Sequence, residues 1–182
     1  MTYVPNSMFS GCTALEEIII PESITEIYWG AFEETGLKKI EIPDSVAYIS
    51  ADAFSDCDSM KSAVIGDGVI EMGGAFRGCD ALEKVVLGKS IQYYDSAFYG
   101  CNSLKEVVFP EGFNGYGEDA FSSCENLADV SLPESVQAIA YGQFRNCNSL
   151  EEFDLPENIR RVHAHAFDDT KWYDGQEDGD IY

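Results

Sequence analysis

Phenylalanine returns every 22 or 23 residues along this chain, at Phe9, Phe32, Phe54, Phe76, Phe98, Phe121, Phe144 and Phe167. A fixed period of about 20 to 50 residues is the signature of stacked repeats, and it decides the architecture before any local propensity is weighed. Most of these rings follow an alanine: Ala31, Ala53, Ala75, Ala97, Ala120 and Ala166. Three residues after each ring comes Cys12, Thr35, Cys57, Cys79, Cys101, Cys124, Cys147 or Thr170, so all six cysteines occupy one column. A further column holds Leu15, Met60, Leu82, Leu104, Leu127 and Leu150, with Leu37 one residue early.

After the leucine column comes a β-rich tripeptide: Ile18–Ile20, Ile40–Ile42, Ala63–Ile65, Val85–Leu87, Val107–Phe109, Val130–Leu132 and Phe153–Leu155. Their outer residues are apolar throughout, the alternation of a short strand with one face inward. Five of the seven end at Pro21, Pro43, Pro110, Pro133 or Pro156, and Gly66 and Gly88 stand in the other two. Proline lacks an N–H and fixes φ, so the strand stops there. A second apolar pair recurs after the turn, as Ile24/Ile27, Val46/Ile49, Val69/Met72, Ile91/Tyr94, Phe113/Tyr116, Val136/Ile139 and Ile159/Val162. One such coil cannot bury these groups alone, so the coils must stack. Seven strands at about 4.8 Å predict a parallel sheet of roughly 30 Å, opposed by turns and short irregular or 3₁₀ segments.

The chain of 182 residues is long enough for one domain, and the whole of 1–182 reads as one, with a repeat array over 4–170 and an acidic tail over 171–182. Acidic residues outnumber basic ones 33 to 11, a net charge of −22, which repels nucleic acid and anionic membrane surfaces. Apolar runs such as Ile18–Ile20 are far short of the roughly 20 residues of a membrane span. The N-terminus has neither the basic nor the apolar region of a secretory signal. The chain opens inside a coil at Val4 and its tail starts a new segment, so either the chain is a fragment or each end needs another cover.

Written C-x-x-L-x-x-V-x-L-P-x-x-V-x-x-I-x-x-x-A-F-x-x, the repeat resembles the bacterial surface class of leucine-rich repeats typified by BspA-like proteins. Cys101-Asn-Ser-Leu104-Lys-Glu-Val107-Val-Phe109-Pro110 carries the match clearly, and Cys124 to Phe144 repeats it. The resemblance implies a right-handed, β-rich leucine-rich-repeat solenoid with a parallel sheet on one face. It further implies a secreted or cell-surface location, adhesion to other proteins, and no catalytic residue to carry over. The commoner leucine-rich class places Asn or Cys after the strand, whereas here Cys precedes it and proline follows.

The phenylalanine column reads as core. Cysteines on adjacent coils lie about a strand spacing apart, which does not exclude disulfides on distance alone. Cys-x-x-Cys pairs are absent and threonine fills two rungs, so the column reads as buried free thiols. His163 and His165 with Asp168 and Asp169 form the only histidine cluster; no other ligand column converges on it, and a solvated or capping role is expected. Asp174 through Asp180 lacks calcium-loop spacing. No nucleophile motif, catalytic set, metal site or cofactor site is written here.

The middle residues of the tripeptides point outward and read Ile19, Glu41, Val64, Val86, Val108, Ser131 and Asp154. Five of the seven lysines, Lys38, Lys39, Lys61, Lys84 and Lys105, gather just before strands. An apolar stripe edged with charge resembles an interface centre and rim. Ile19, Lys61, Val64, Lys84, Val86, Lys105 and Val108 are therefore the candidate protein-binding residues, on a concave sheet facing a host extracellular or microbial surface protein. The alternative is a spacer with no binding of its own. Open solenoid ends also allow self-association.

Overall fold

The structure is a computed structural model, and it describes residues 1–175. Its strands are β1 (Tyr3–Val4), β2 (Glu26–Ile27), β3 (Lys39–Ile42), β4 (Tyr48–Ile49), β5 (Ser62–Ile65), β6 (Lys84–Val86), β7 (Glu106–Val108), β8 (Ala138–Ile139) and β9 (Arg161–Val162), followed by one helical turn, α1 (Lys171–Asp174). Every pairing is parallel, joining equivalent residues of neighbouring coils. The chain is therefore a β-solenoid, as its period requires.

The tripeptide strands form a sheet in the order β3-β5-β6-β7, four strands rather than the seven expected. Beyond β7 an isolated bridge, Asp129↔Glu152, is what remains of the ladder on this side among the described residues. The outward positions there hold Ser131 and Asp154 in place of valine, and aspartate fits a pleated, half-buried surface poorly.

The opposing side is not merely turns. The second apolar pair carries its own parallel ladder, β1-β2-β4, continued by the bridges Tyr48↔Glu71, Glu71↔Tyr93 and Tyr93↔Tyr116, with β8-β9 beyond. Val4, Ile27, Ile49, Met72 and Tyr94 point inward from it. The Phe113/Tyr116 pair departs from the expected pattern. One extra residue lies between Phe113 and its bridge partner position, so Tyr116 turns outward and half-exposed while Gly117 takes the inward place. The ring of Tyr94 fills the room: a Cβ on Gly117 would lie 2.9 Å from it. Buried at 1% exposure, Tyr94 keeps its hydroxyl satisfied by accepting from Nε2 of Gln143, which sits where six of the other seven coils have alanine. Gln143 in turn accepts from the Ala140 N–H through Oε1.

The third side turns around the phenylalanines. Each ring lies between residues of positive φ two before and two after it, as Ser96 (φ 52°) and Gly100 (φ 72°) flank Phe98. That conformation favours Gly, Asn, Asp and other small polar residues, which are common at these positions. The turns hydrogen-bond from coil to coil, for example from the Phe54 N–H to the Ala75 carbonyl at 2.8 Å. The eight rings stack nearly parallel, with centroid separations of 5.0 to 5.7 Å. Trp172, on α1, packs at the end of the column against Phe153 and Phe167 at 5.6 and 4.6 Å. Most of the remaining tail, from 176 onward, lies outside the described residues.

All six cysteines are free, and five are buried. Each buried thiol donates to a phenylalanine carbonyl of the preceding coil: Cys57 to Phe32, Cys79 to Phe54, Cys101 to Phe76, Cys124 to Phe98 and Cys147 to Phe121, at 3.1 to 3.2 Å. Thr35 and Thr170 donate instead to Phe32 and Phe167 of their own coils. The column thus demands a small side chain that packs like a hydrophobe yet carries a donor, which restricts it to Cys and Thr. Cys12 departs from the reading of buried thiols: it is exposed, and among the described residues its thiol donates to no phenylalanine carbonyl. Burial pushes the Cys147 thiol up to about 12 and that of Cys124 well above the ordinary range. Since the thiolate is the reactive species, a maleimide should label Cys12 alone in the native protein and the other five only in denaturant. Rapid native labelling of a second thiol would show that the column opens.

Candidate interaction faces

The β3-β5-β6-β7 sheet brings Glu41, Val64, Val86 and Val108 together on adjacent strands in direct register. Val64 is 41% exposed, while Val86 and Val108 are half-buried. Ile19 is 91% exposed but lies outside the strands, on the coil before β3. It flanks the stripe rather than extending the ladder.

The lysines form a rim that is already paired with glutamates. Lys61 lies 3.8 Å from Glu83, Lys84 lies 2.6 Å from Glu106, and Lys38 lies 2.5 Å from Glu16. These three pairs each step from one coil to the next, while Lys39 and Glu41, 3.9 Å apart, share β3. Lys105 is exposed and has no ion pair among the described residues. Exposed pairs of this kind contribute little to stability. What they do here is edge an uncharged stripe with alternating charge on the side where the chain enters the strands.

The second ladder presents a face that the sequence reading did not single out. Its outward residues run Tyr3, Glu26, Tyr48, Glu71, Tyr93 and Tyr116 in direct register. Tyr3, Tyr48 and Tyr93 are 43%, 38% and 55% exposed. Tyr28 stacks on Tyr3 at 5.1 Å and donates its hydroxyl to Glu26, and Trp29 donates through Nε1 to Asp52 at 3.2 Å. The signal was legible, since each residue precedes an inward member of the second apolar pair or, at Tyr116, the glycine that replaces it. It was missed because that side was expected to be irregular.

The histidines do not converge. His163 meets the edge of the Tyr116 ring at 5.7 Å, whereas His165 meets Tyr141 at 5.4 Å and places Nδ1 2.5 Å from an Asp168 carboxylate oxygen. Asp169 is part of the flanking turn, with φ 59°. Among the described residues, no cluster of three His, Cys, Asp or Glu side chains is placed to hold a metal ion, and no helix is long and apolar enough to cross a membrane.

Comparison with known proteins agrees with the repeat solenoid fold. The family model described as a BspA type leucine rich repeat region matches residues 1–96 and 74–174, with 6 copies. A leucine rich repeat protein of T. pallidum is 30% identical, with a TM-score of 0.61 over 69% of this chain and 68% of that one. A leucine rich cell surface protein of Faecalibacterium prausnitzii shares the fold at 24% identity and a TM-score of 0.57; 94% of this chain is covered, but it spans only 55% of that protein. Among curated proteins none is significantly similar.

Proposed function

Because this chain belongs to the BspA type leucine-rich-repeat family, we propose that it is a non-catalytic, adhesion-type interaction module of a secreted or cell-surface protein. Its partner is a host extracellular or microbial surface protein, contacted through the β3-β5-β6-β7 sheet. The observation that carries this reading is the in-register Val64, Val86 and Val108 stripe bordered along one edge by Lys–Glu pairs. An uncharged centre with a polar rim is the usual anatomy of a protein interface. Ile19, Lys61, Lys84 and Lys105 complete the proposed contact residues, at the edges of the stripe.

Partial burial of Val86 and Val108 favours a second reading, a spacer that supports another domain, because it leaves less apolar area to bind with. Val86→Asp separates the two. The wild-type chain, immobilised and screened against extracellular-matrix and microbial surface proteins, should retain a partner that the folded Val86→Asp variant binds at least about tenfold more weakly, as for a central contact. Equal binding by both, with matched circular dichroism, would rule out the sheet as the contact face and move the site elsewhere, and binding by neither would leave the spacer reading.

A further inference from the structure

We propose that the second ladder is a separate docking face for a proline-rich, basic peptide segment in the polyproline II conformation, lying along the solenoid axis. Tyrosine and glutamate alternate over five of its rungs, Tyr3, Glu26, Tyr48, Glu71 and Tyr93, before Tyr116 closes the row. Like rungs therefore recur every second coil, about 9.6 Å apart at the usual strand spacing. A polyproline II helix advances about 3.1 Å per residue with three residues per turn, so one turn covers about 9.3 Å. A fully extended β-strand repeats its side-chain direction every two residues, about 6.8 Å, and falls out of step.

The chemistry matches the pitch. A segment with a cation every third residue sets one positive charge against each of Glu26 and Glu71, while its prolines pack on the tyrosine faces between them. Aromatic surfaces are the general receptors for polyproline II chains, which lose little conformational entropy on binding. A guanidinium beside a tyrosine adds cation–π attraction. Tyr48 and Tyr93 carry no side-chain hydrogen bond or ring contact among the described residues, so their faces are available. At the N-terminal end the Tyr3–Tyr28 stack and the Tyr28–Glu26 hydrogen bond hold the first rungs in place. The net charge of −22 attracts a cationic segment and repels an acidic one. A neutral glycan could stack on the rings but would leave both carboxylates without a countercharge. Nothing in this proposal depends on the β3-β5-β6-β7 sheet.

The test titrates the whole chain against a labelled peptide of about three Pro-Pro-Arg triplets, long enough at about 3.1 Å per residue to cover the ladder. A flexible Gly-Ser-Arg peptide of equal charge and a β-linked glucose oligosaccharide are titrated in parallel. Saturable binding of the proline-rich peptide is expected, about tenfold tighter than for the flexible one, since the latter must be ordered on binding. Tyr48→Ala with Tyr93→Ala should weaken it about tenfold or more. Glu71→Gln should weaken it too, whereas Glu125→Gln, an equal charge change at an exposed site off the ladder, should not. These are surface residues, so melting curves should be unmoved; if the double variant melts early, Glu71→Gln against Glu125→Gln carries the test. Equal binding of the two peptides, or equal effects of the two glutamine variants, would reduce the face to general charge attraction. No saturation, indifference to the tyrosines, or preferential binding of the oligosaccharide would overturn the proposal outright.

Discussion

Phe98→Ala should cost about 3 to 5 kcal/mol of unfolding free energy, the range for removing a buried aromatic side chain. The ring is fully buried and stacks on Phe76 and Phe121, both at 5.5 Å, with interplanar angles of 16° and 3°. Its loss empties a rung shared by two coil interfaces, and in a solenoid each interface contributes separately to stability. Phe9→Ala is the internal comparison: that ring is half-buried and stacks on Phe32 alone, so its loss should be clearly smaller. Denaturant melts of both variants measure the difference. A cost for Phe98→Ala below about 1 kcal/mol, within the range of ordinary surface changes, would mean that the column is not what holds the coils together.

Gly68→Ala should be comparably destabilising, about 3 kcal/mol, at the upper end of the usual overpacking cost. The added Cβ would lie 1.8 Å from the Asp44 carbonyl oxygen and 2.9 Å from its carbon, atoms of the neighbouring coil's backbone that no rotamer change can move aside. Accommodating it requires the coils to part where Gly66-Asp67-Gly68 turns over Pro43 and Asp44. Gly100 tests a different cause. A Cβ there meets nothing within 4 Å, but φ is +72°, so Gly100→Ala should cost only the local strain of a left-handed residue, about 1 to 2 kcal/mol. If the two substitutions cost the same, coil spacing at Gly68 is looser than the backbone separation indicates.

Much of this was legible because burial in a solenoid is repeated. A column that must be apolar in one coil must be apolar in all, and eight phenylalanines at one spacing reveal the columns directly. The valine stripe could be read in the same way, since alternation places Val64, Val86 and Val108 outward once the strand is recognised. Their exposure could not: Val86 and Val108 are half-buried, which depends on how neighbouring side chains lie over them. The cysteine column was visible as a column, but its requirement for a donor came from the phenylalanine carbonyls of the adjacent coil.

The period and the apolar columns determined by themselves that this chain stacks as a parallel solenoid, because a single coil cannot bury its columns alone; the BspA type rests on the repeat's resemblance and the family match. Only the tertiary structure decided where each ladder is hydrogen-bonded and which outward residues share it. A single extra residue after Phe113 turns Tyr116 outward, brings Gly117 inward under Tyr94, and so joins Tyr116 to the Tyr–Glu row. Strand side chains alternate with period two, so one residue exchanges the two faces, and which of them exchange depends on the register between coils.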